Sequence, residues 1–512
     1  MPALTLTATG QLLARLTAFS IAALALSLLW MSRYQPVEMD LAMLHYCAFL
    51  INEKGLLLYR DIFENNLPGP FLLHAMIGKA FGYGAVPVRL LDGLLLFGLA
   101  ACSWQILRPL SLAAAVTAPA LFAIVYFAGG TTAAFQRDYI ATLPLAAALA
   151  LLCRNTGKPL RDALLVGALC GIACSLKPNM IVMGPAFFWI LLQRLPGSVT
   201  TRSVQLLPLL GIGFLLLFAI PLLWALRHAD LAELVHLYQT YTPVYVSTRT
   251  DLFHYDNAWQ QWRDLLAMQA SHLGRLSLMA IPGLLWAWRQ WRGDVQAMCH
   301  LRCLAIALFA IAWHEMVAGK FWFAHLLPPY FFALLCFTLL LTPAAAAAGN
   351  AEKSLRILLV LPVVLLTFLA GTLSWQRLHN AGYDAENAQI RSKKIARYLQ
   401  QHLQPGDKVQ ALDGSGDGQG SLLLAGAVTA TRFVEDIPLY LQPHSPVTQG
   451  FRREFIDTLT ADPPAFIVYI HNFFHPAGGN RLQEFTELDS FIKQYYEVAV
   501  LEDGEYTIFR RR

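Results

Sequence analysis

Charge is what this 512-residue chain has least of. Only 14% of its residues are charged, against about 25% in a soluble globular domain, while 56% are hydrophobic and the mean hydropathy is +0.47. A soluble fold is excluded for most of its length. The net charge of +5 is modest; it fits positive cytoplasmic loops and gives no case for nucleic acid as a partner. Cysteine is scarce and poorly placed for cross-linking. Of the eight (Cys47, Cys102, Cys153, Cys170, Cys174, Cys299, Cys303 and Cys336), none lies in the polar C-terminal part. Most sit inside or at the ends of apolar segments, where a thiol behaves as a small hydrophobe, so neither a disulfide framework nor a zinc site is expected. There is no Walker lysine motif, no soluble nucleotide-sugar domain and no internal repeat. The stretch GSGDGQG (414–420) follows a strand but fails the dinucleotide spacing, because Gln419 stands where a glycine is needed; it reads as a flexible loop.

What the chain has in quantity is apolar runs of about 20 residues, each long enough to cross roughly 30 Å of hydrocarbon. About eleven spans are predicted, at 11–31, 87–106, 110–128, 138–153, 161–175, 178–193, 204–226, 273–291, 301–318, 325–342 and 356–374. The first is long for a signal peptide, and no small-residue cleavage site follows it, so it reads as an uncleaved helix. Lys and Arg set the orientation. Arg108, Arg154, Lys158, Arg161, Arg194, Arg202, Arg289, Arg292, Arg302, Lys353 and Arg356 fall on alternate loops and mark the cytoplasmic side. The other face then receives the opening loop, 129–138, 175–179, 227–272, 319–329 and the C-terminal tail. The expected fold is mainly α: a polytopic membrane bundle over 1–374, with an outer loop at 33–86. A small α/β extracytoplasmic domain over 375–512 follows. In that tail, 386–403 and 484–494 read as helices, and 408–412, 466–470, 496–501 and 505–509 as strands. The run AAAAAG (344–349) reads as a loop or frayed helix end.

Against so little charge, the segment Gln35–Pro70 stands out, with Glu38, Asp40, Glu53, Asp61 and Glu64 beside a membrane helix. Glu38 and Asp40, at i and i+2, point the same way on a strand and apart on a helix. Two carboxylates at a low-dielectric boundary suit general-base work, or a divalent cation such as Mg or Mn; a solvated loop carries such acids equally well. Arg60-Asp61 reads as a local ion pair that shapes the loop, and Leu67-Pro68-Gly69-Pro70 as a stiff stretch that starts the next helix, a structural role when taken alone. Farther on, Arg137-Asp138 stands at the outer mouth of one helix, where an aspartate also complements the helix dipole. Lys177-Pro178 stands at another mouth, where the lysine either snorkels or binds phosphate. His314-Glu315 lies within a span near its outer end, and His325 lies in the outer loop with Lys320 and Trp322. Ionisable groups inside a membrane are functional candidates by default, although a satisfied buried histidine is the commoner explanation for any one of them.

Together these residues resemble the bacterial polytopic glycosyltransferases of the GT-C class, a group that includes the protein O-mannosyltransferases and the aminoarabinose transferase of lipid A. The resemblance spans almost the whole chain. Asp40 lies fifteen residues before Gly55, as the first-loop acid does in that class. Tyr59-Arg60-Asp61 with Asn65-Asn66-Leu67-Pro68 matches a Y-x-D…N-K-P-P segment. Arg89 after Phe81-Gly82, Asp138 at a helix start, Lys177-Pro178, and His325 before Pro328 match further elements, and the outer α/β tail fits. The resemblance implies an inverting transfer of a sugar from a polyprenyl-phosphate donor to a glycan, lipid or protein acceptor. It places the protein as a multi-pass chain of the bacterial inner membrane with its tail in the periplasm. Asp40 is then the catalytic base with Glu38 beside it, and Arg60, Asp61, Arg137, Asp138, Lys177 and His325 serve the donor phosphate or substrate. No cofactor is demanded; a divalent metal, if used, would sit on Glu38 and Asp40.

Two departures from the class are visible. Its Asp-Glu pair is here Asp40-Leu41, with the second acid at Glu38, and its Lys before Pro is replaced by Asn66-Leu67, which implies a less anionic acceptor. Three other functions compete. A transporter or flippase would place its site near the midplane, often with repeats, whereas polar residues here crowd one face. A polymerase or ligase using a diphosphate-linked donor is compatible with the long loop 227–272. A receptor would use the tail as a binding module.

Overall fold

The computed structural model describes residues 6–154, 156–248, 257–342, 350–386, 390–471 and 481–512. The alanine run at 344–349 lies outside them, as do parts of 227–272 and 386–403. In chain order the helices are α1 (Leu6–Met31), α2 (Met39–Lys54), α3 (Gly69–Phe81), α4 (Ala85–Leu107), α5 (Leu112–Ala128), α6 (Arg137–Arg154), α7 (Pro159–Leu176) and α8 (Met183–Leu192). They continue with α9 (Val199–His228), α10 (Leu231–Val246), α11 (Ala258–Trp291), α12 (Val295–Ile311), α13 (His314–Ala318), α14 (Phe323–Phe337) and α15 (Asn350–Glu386). The tail runs α16 (Arg391–His402), β1 (Lys408–Leu412), α17 (Asp417–Ala425), β2 (Val428–Thr429), α18 (Pro446–Ala461), β3 (Phe466–Ile470), α19 (Arg481–Glu484), α20 (Thr486–Tyr495), β4 (Tyr496–Glu502) and β5 (Tyr506–Arg511).

The chain divides into two compact units. One comprises Met1–Gln35, Val88–Ile220 and Leu265–Gly382; the other comprises Pro36–Pro87, Pro221–Asp264 and Tyr383–Arg512.

The first unit is a helix bundle. All eleven expected spans fall on helical segments, and seven helices among the described residues are long and apolar enough to cross a membrane. Two more, Leu112–Ala128 and Pro178–Leu192, are apolar but shorter. The helix Phe323–Leu341 has 94% of its apolar window buried, against 17% for Val199–His228, so α14 is a core helix and α9 a peripheral one. Small residues set the closest approach. A Cβ on Gly167 would lie 2.1 Å from the Leu210 carbonyl oxygen, and one on Gly171 would lie 2.3 Å from that of Phe214. From the other side, Gly213 would meet the Leu164 oxygen at 2.0 Å. The pairing of α7 with α9 is therefore a contact of backbone on backbone that only glycine permits, as membrane helices often arrange.

The second unit is built on a five-stranded sheet of order β2-β1-β3-β5-β4. β1 pairs in parallel with β2 and β3, and β5 joins β3 and β4 antiparallel. Side chains alternate along each strand. Val409, Ala411, Phe466, Val468 and Ile470 face one apolar cluster with Met43, Leu44, Tyr46, Cys47 and Leu50 of α2. Leu412, Ile467 and Tyr469 face another, with Phe451 and Phe455 of α18 and Leu237 and Tyr241 of α10. One face of the C-terminal sheet is thus covered by a helix from the start of the chain, and Tyr46 fixes it by donating to the Ala427 carbonyl at 3.0 Å.

The segment 414–420 is not a flexible loop. Asp413 accepts from the Ser415 amide (2.7 Å) and hydroxyl (2.6 Å) and from the Gly418 amide (2.7 Å), which ties the turn down at the start of α17. Spacing alone could not reveal this, because the acid that organises the turn precedes the glycine pattern.

Candidate active site

In the bundle, five expected residues come together: Asp138, Lys177, His325, His314 and Glu315. Asp138 stands in the first turn of α6, and Lys177 caps α7 because Pro178 cannot continue that helix. His325 opens α14. Lys177 Nζ lies 3.4 Å from Asp138 Oδ2 and 3.1 Å from His325 Nε2. His314 Nε2 lies 3.2 Å from Asp138 Oδ1, and Glu315 Oε2 lies 3.4 Å from His272 Nε2. All of these side chains are buried. His325 Nδ1 is 3.1 Å from the Lys320 carbonyl, which fixes the ring. His314 and Glu315 sit on α13, a five-residue helix that ends where Gly319 turns to φ +67°. Arg137, next to Asp138, is buried as well.

A second buried polar group forms around Asp92. It accepts from the Tyr126 hydroxyl at 2.8 Å and pairs with Arg89 at 3.5 Å, and Tyr139 donates to its carbonyl at 3.2 Å. The resemblance singled out Arg89; Asp92, Tyr126, Tyr139 and His272 were not anticipated. The spacing Arg89-x-x-Asp92 inside an apolar helix was a usable signal, since such a pair meets on one helix face.

The first-loop residues lie in the second unit. Glu38 is the extended residue that precedes α2 (φ −139°, ψ 175°), and Asp40 stands in the helix's first turn. The spacing from Asp40 to Gly55 is the length of α2, which ends as Gly55 turns to φ +70°. Asp61 accepts from the Leu57 amide at 2.9 Å and holds Arg60 with two contacts of 2.9 Å, which lower the Asp61 carboxyl below its ordinary range. The Arg60 side chain is 59% exposed. Tyr59 takes φ +73° and donates to the Asn66 carbonyl at 2.8 Å.

Glu64 accepts from the Asn65 amide (2.7 Å) and from the Asn66 amide (3.0 Å) and side chain (2.6 Å). Glu435, which sequence reasoning missed, is pushed well up by burial and then by the carboxylates of Asp40, Glu64, Asp413 and Asp436. Asp436 is its chain neighbour, but Asp40 and Glu64 lie hundreds of residues away, so the local sequence Val434-Glu435-Asp436 shows only part of the crowding. Among the described residues, no group of three or more His, Cys, Asp or Glu is arranged to hold a metal ion, and no step is routed through one.

Comparisons with known proteins agree with this architecture. Residues 66–224 match the family model described as dolichyl-phosphate-mannose-protein mannosyltransferase. The fold is similar to that of ArnT from Cupriavidus metallidurans in the apo state, with a TM-score of 0.59 and 13% identity over 96% of this chain and 97% of that one. The same protein bound to undecaprenyl phosphate aligns with a TM-score of 0.51 and 14% identity over the same shares. No curated protein matches the sequence significantly. By fold the chain is a helix bundle similar to ArnT, with several helices apolar enough to cross a membrane, and the family match covers residues 66–224, less than half of its length.

Proposed function

We propose that this protein is an inverting glycosyltransferase of the bacterial inner membrane, moving a sugar from a polyprenyl-phosphate donor to an envelope glycan, lipid or protein on the outer face. In this reading an acceptor hydroxyl attacks the anomeric carbon while Asp40 takes its proton. The bond from that carbon to the phosphate oxygen breaks, and its electron pair leaves with the polyprenyl phosphate. Lys177 supplies positive charge for the phosphate, and Asp138 and His325 keep that charge placed in an apolar interior. Arg137 adds a second buried cation. Arg60, held by Asp61, presents its exposed guanidinium to a phosphate or polar acceptor group. Glu38 accompanies Asp40 as a neighbouring acid.

The observation that carries the reading is the meeting of Asp138, Lys177 and His325. They come from three separate helices of a chain poor in charge, and a membrane interior tolerates such groups only at a cost. Undecaprenyl phosphate bound to the similar ArnT supports the donor class.

Where the class has a lysine, Asn66 here pairs with Glu64, so the reading extends to an acceptor with little negative charge. A purified protein that transferred sugar only to phosphorylated acceptors would count against that extension. The main test is mass spectrometry of envelope glycans, lipids and proteins from cells with and without the chain, and with Asp40→Asn. A sugar-mass product that vanishes in both deficient strains is expected. Full product from a folded Asp40→Asn protein would remove Asp40 as the base.

A further inference from the structure

The C-terminal sheet has a feature that the proposed reaction leaves unused. β1 lies between β2 and β3, and all three run parallel. α17 leads from β1 to β2 over one face, and α18 leads back to β3 over the other. Folds of this kind take their ligands outside the carboxyl ends of the strands, where such connections part. Here that place follows Leu412, at the Asp413–Asp417 turn, and the chain itself meets it.

Met39 donates its amide to the Ser415 carbonyl at 2.9 Å. Gly416, at φ +84°, lies so close that a Cβ would stand 2.4 Å from both the Met39 nitrogen and oxygen. A Cβ on Gly420 would stand 3.2 Å from the Val37 carbonyl. Met39 itself is held at φ +57°, a left-handed conformation that is costly for a residue with a side chain. Asp40 is the next residue, in the first turn of α2. Backbone strain held in place beside a candidate base is the kind of over-determined geometry that functional sites retain.

We infer that the Ser415–Gly416 turn is the positioning element for Asp40: by holding the Met39 backbone in the left-handed region, it sets the direction in which α2 presents the Asp40 carboxylate. The inference rests on reading Asp40 as the base. It assigns the tail domain a part in catalysis through one backbone hydrogen bond and one glycine. Asp413 is the anchor behind both, since its carboxylate holds the Ser415 amide and hydroxyl and the Gly418 amide.

Three substitutions separate this role from simple stability. Met39→Pro leaves α2 able to form, because proline suits the first helical position, but it removes the donor and forces φ to about −65°. Met39→Gly keeps the donor and accepts positive φ without strain. Gly416→Ala introduces the collision. The assay uses the full-length protein in lipid nanodiscs, with an envelope extract of the expressing cells as source of donor and acceptor, and mass spectrometry of the product.

Met39→Pro and Gly416→Ala are expected to slow transfer by roughly 100-fold, as displacement of a reacting group by about 1 Å does, while Met39→Gly transfers near the unaltered rate. Met39→Pro is expected to keep the unfolding temperature of the unaltered protein while its transfer falls, a split that a merely structural role would not produce. Unaltered rates in folded Met39→Pro and Gly416→Ala, with Asp40→Asn inactive, overturn the positioning role alone. Activity in folded Asp40→Asn overturns the base reading and the inference with it. Should Gly416→Ala fail to fold, the Met39→Pro and Met39→Gly pair still decides.

Discussion

Lys177 and Asp138 hold opposite charges 3.4 Å apart with almost no solvent around them. Removing one partner of a buried pair leaves the other uncompensated, at a cost of about 3–5 kcal/mol. Lys177→Met is therefore expected to lower the unfolding temperature in detergent sharply. Adding Asp138→Asn is expected to recover most of that loss while transfer stays abolished. Recovery of transfer in the double variant would show that the pair serves the fold alone.

Glu435 supplies a second residue-scale test. Its carboxyl is raised by burial and by four neighbouring acids, so the folded protein keeps a proton that the unfolded chain releases near pH 4.5. Stability is then present in full below that pH and falls as pH rises toward the folded value. Glu435→Gln lacks this loss. Its advantage in unfolding temperature is expected to be absent at pH 4 and to grow from pH 5 to pH 8; an advantage independent of pH would refute the crowding.

At the scale of elements, the packing of α7 on α9 depends on Gly167, Gly171 and Gly213, each within about van der Waals contact of a facing backbone. A valine at Gly171 would have to displace the Phe214 carbonyl, which lies 2.3 Å from the position of its Cβ. Overpacking of this kind costs about 1–3 kcal/mol. Gly171→Val is expected to lower thermal stability by that amount, whereas the same change at Gly274, which has open space around it, is expected to have little effect on packing. Measured unfolding of the two variants in one detergent settles the comparison. The other decisive element is α2. Its apolar side, with Met43, Tyr46, Cys47 and Leu50, serves as one wall of the C-terminal sheet.

For the whole molecule, this makes residues 383–512 an incomplete domain. Expressed alone, they would expose the sheet face that carries Val409, Ala411, Phe466 and Val468 to water. The fragment is expected to aggregate, and co-expression with residues 36–87 and 221–264 is expected to improve its solubility. A monomeric, cooperatively folded fragment would contradict the shared core. The proposed topology has its own check: a periplasm-activated reporter fused after Arg512 is expected to be active, and one fused near Arg194 silent.

Composition and run length were enough for the bundle. The long apolar segments announced helices, seven of which among the described residues are long and apolar enough to span a membrane, because burying backbone in hydrocarbon leaves few alternatives. Turn residues and alternation likewise located most strands of the tail, and unusual ionisable residues in apolar surroundings marked Asp138, Lys177 and His325 as candidates. What only the tertiary structure decided was partnership. That α2 would cover a sheet formed more than 350 residues later, that Glu435 would crowd Asp40 and Glu64, and that Gly416 would press on Met39 all depend on long-range packing. Such contacts leave no local periodicity, since each residue's own neighbours in the chain are satisfied without them. Local chemistry chose the helices and the candidate charges; the closing of distant segments on one another chose which of them meet.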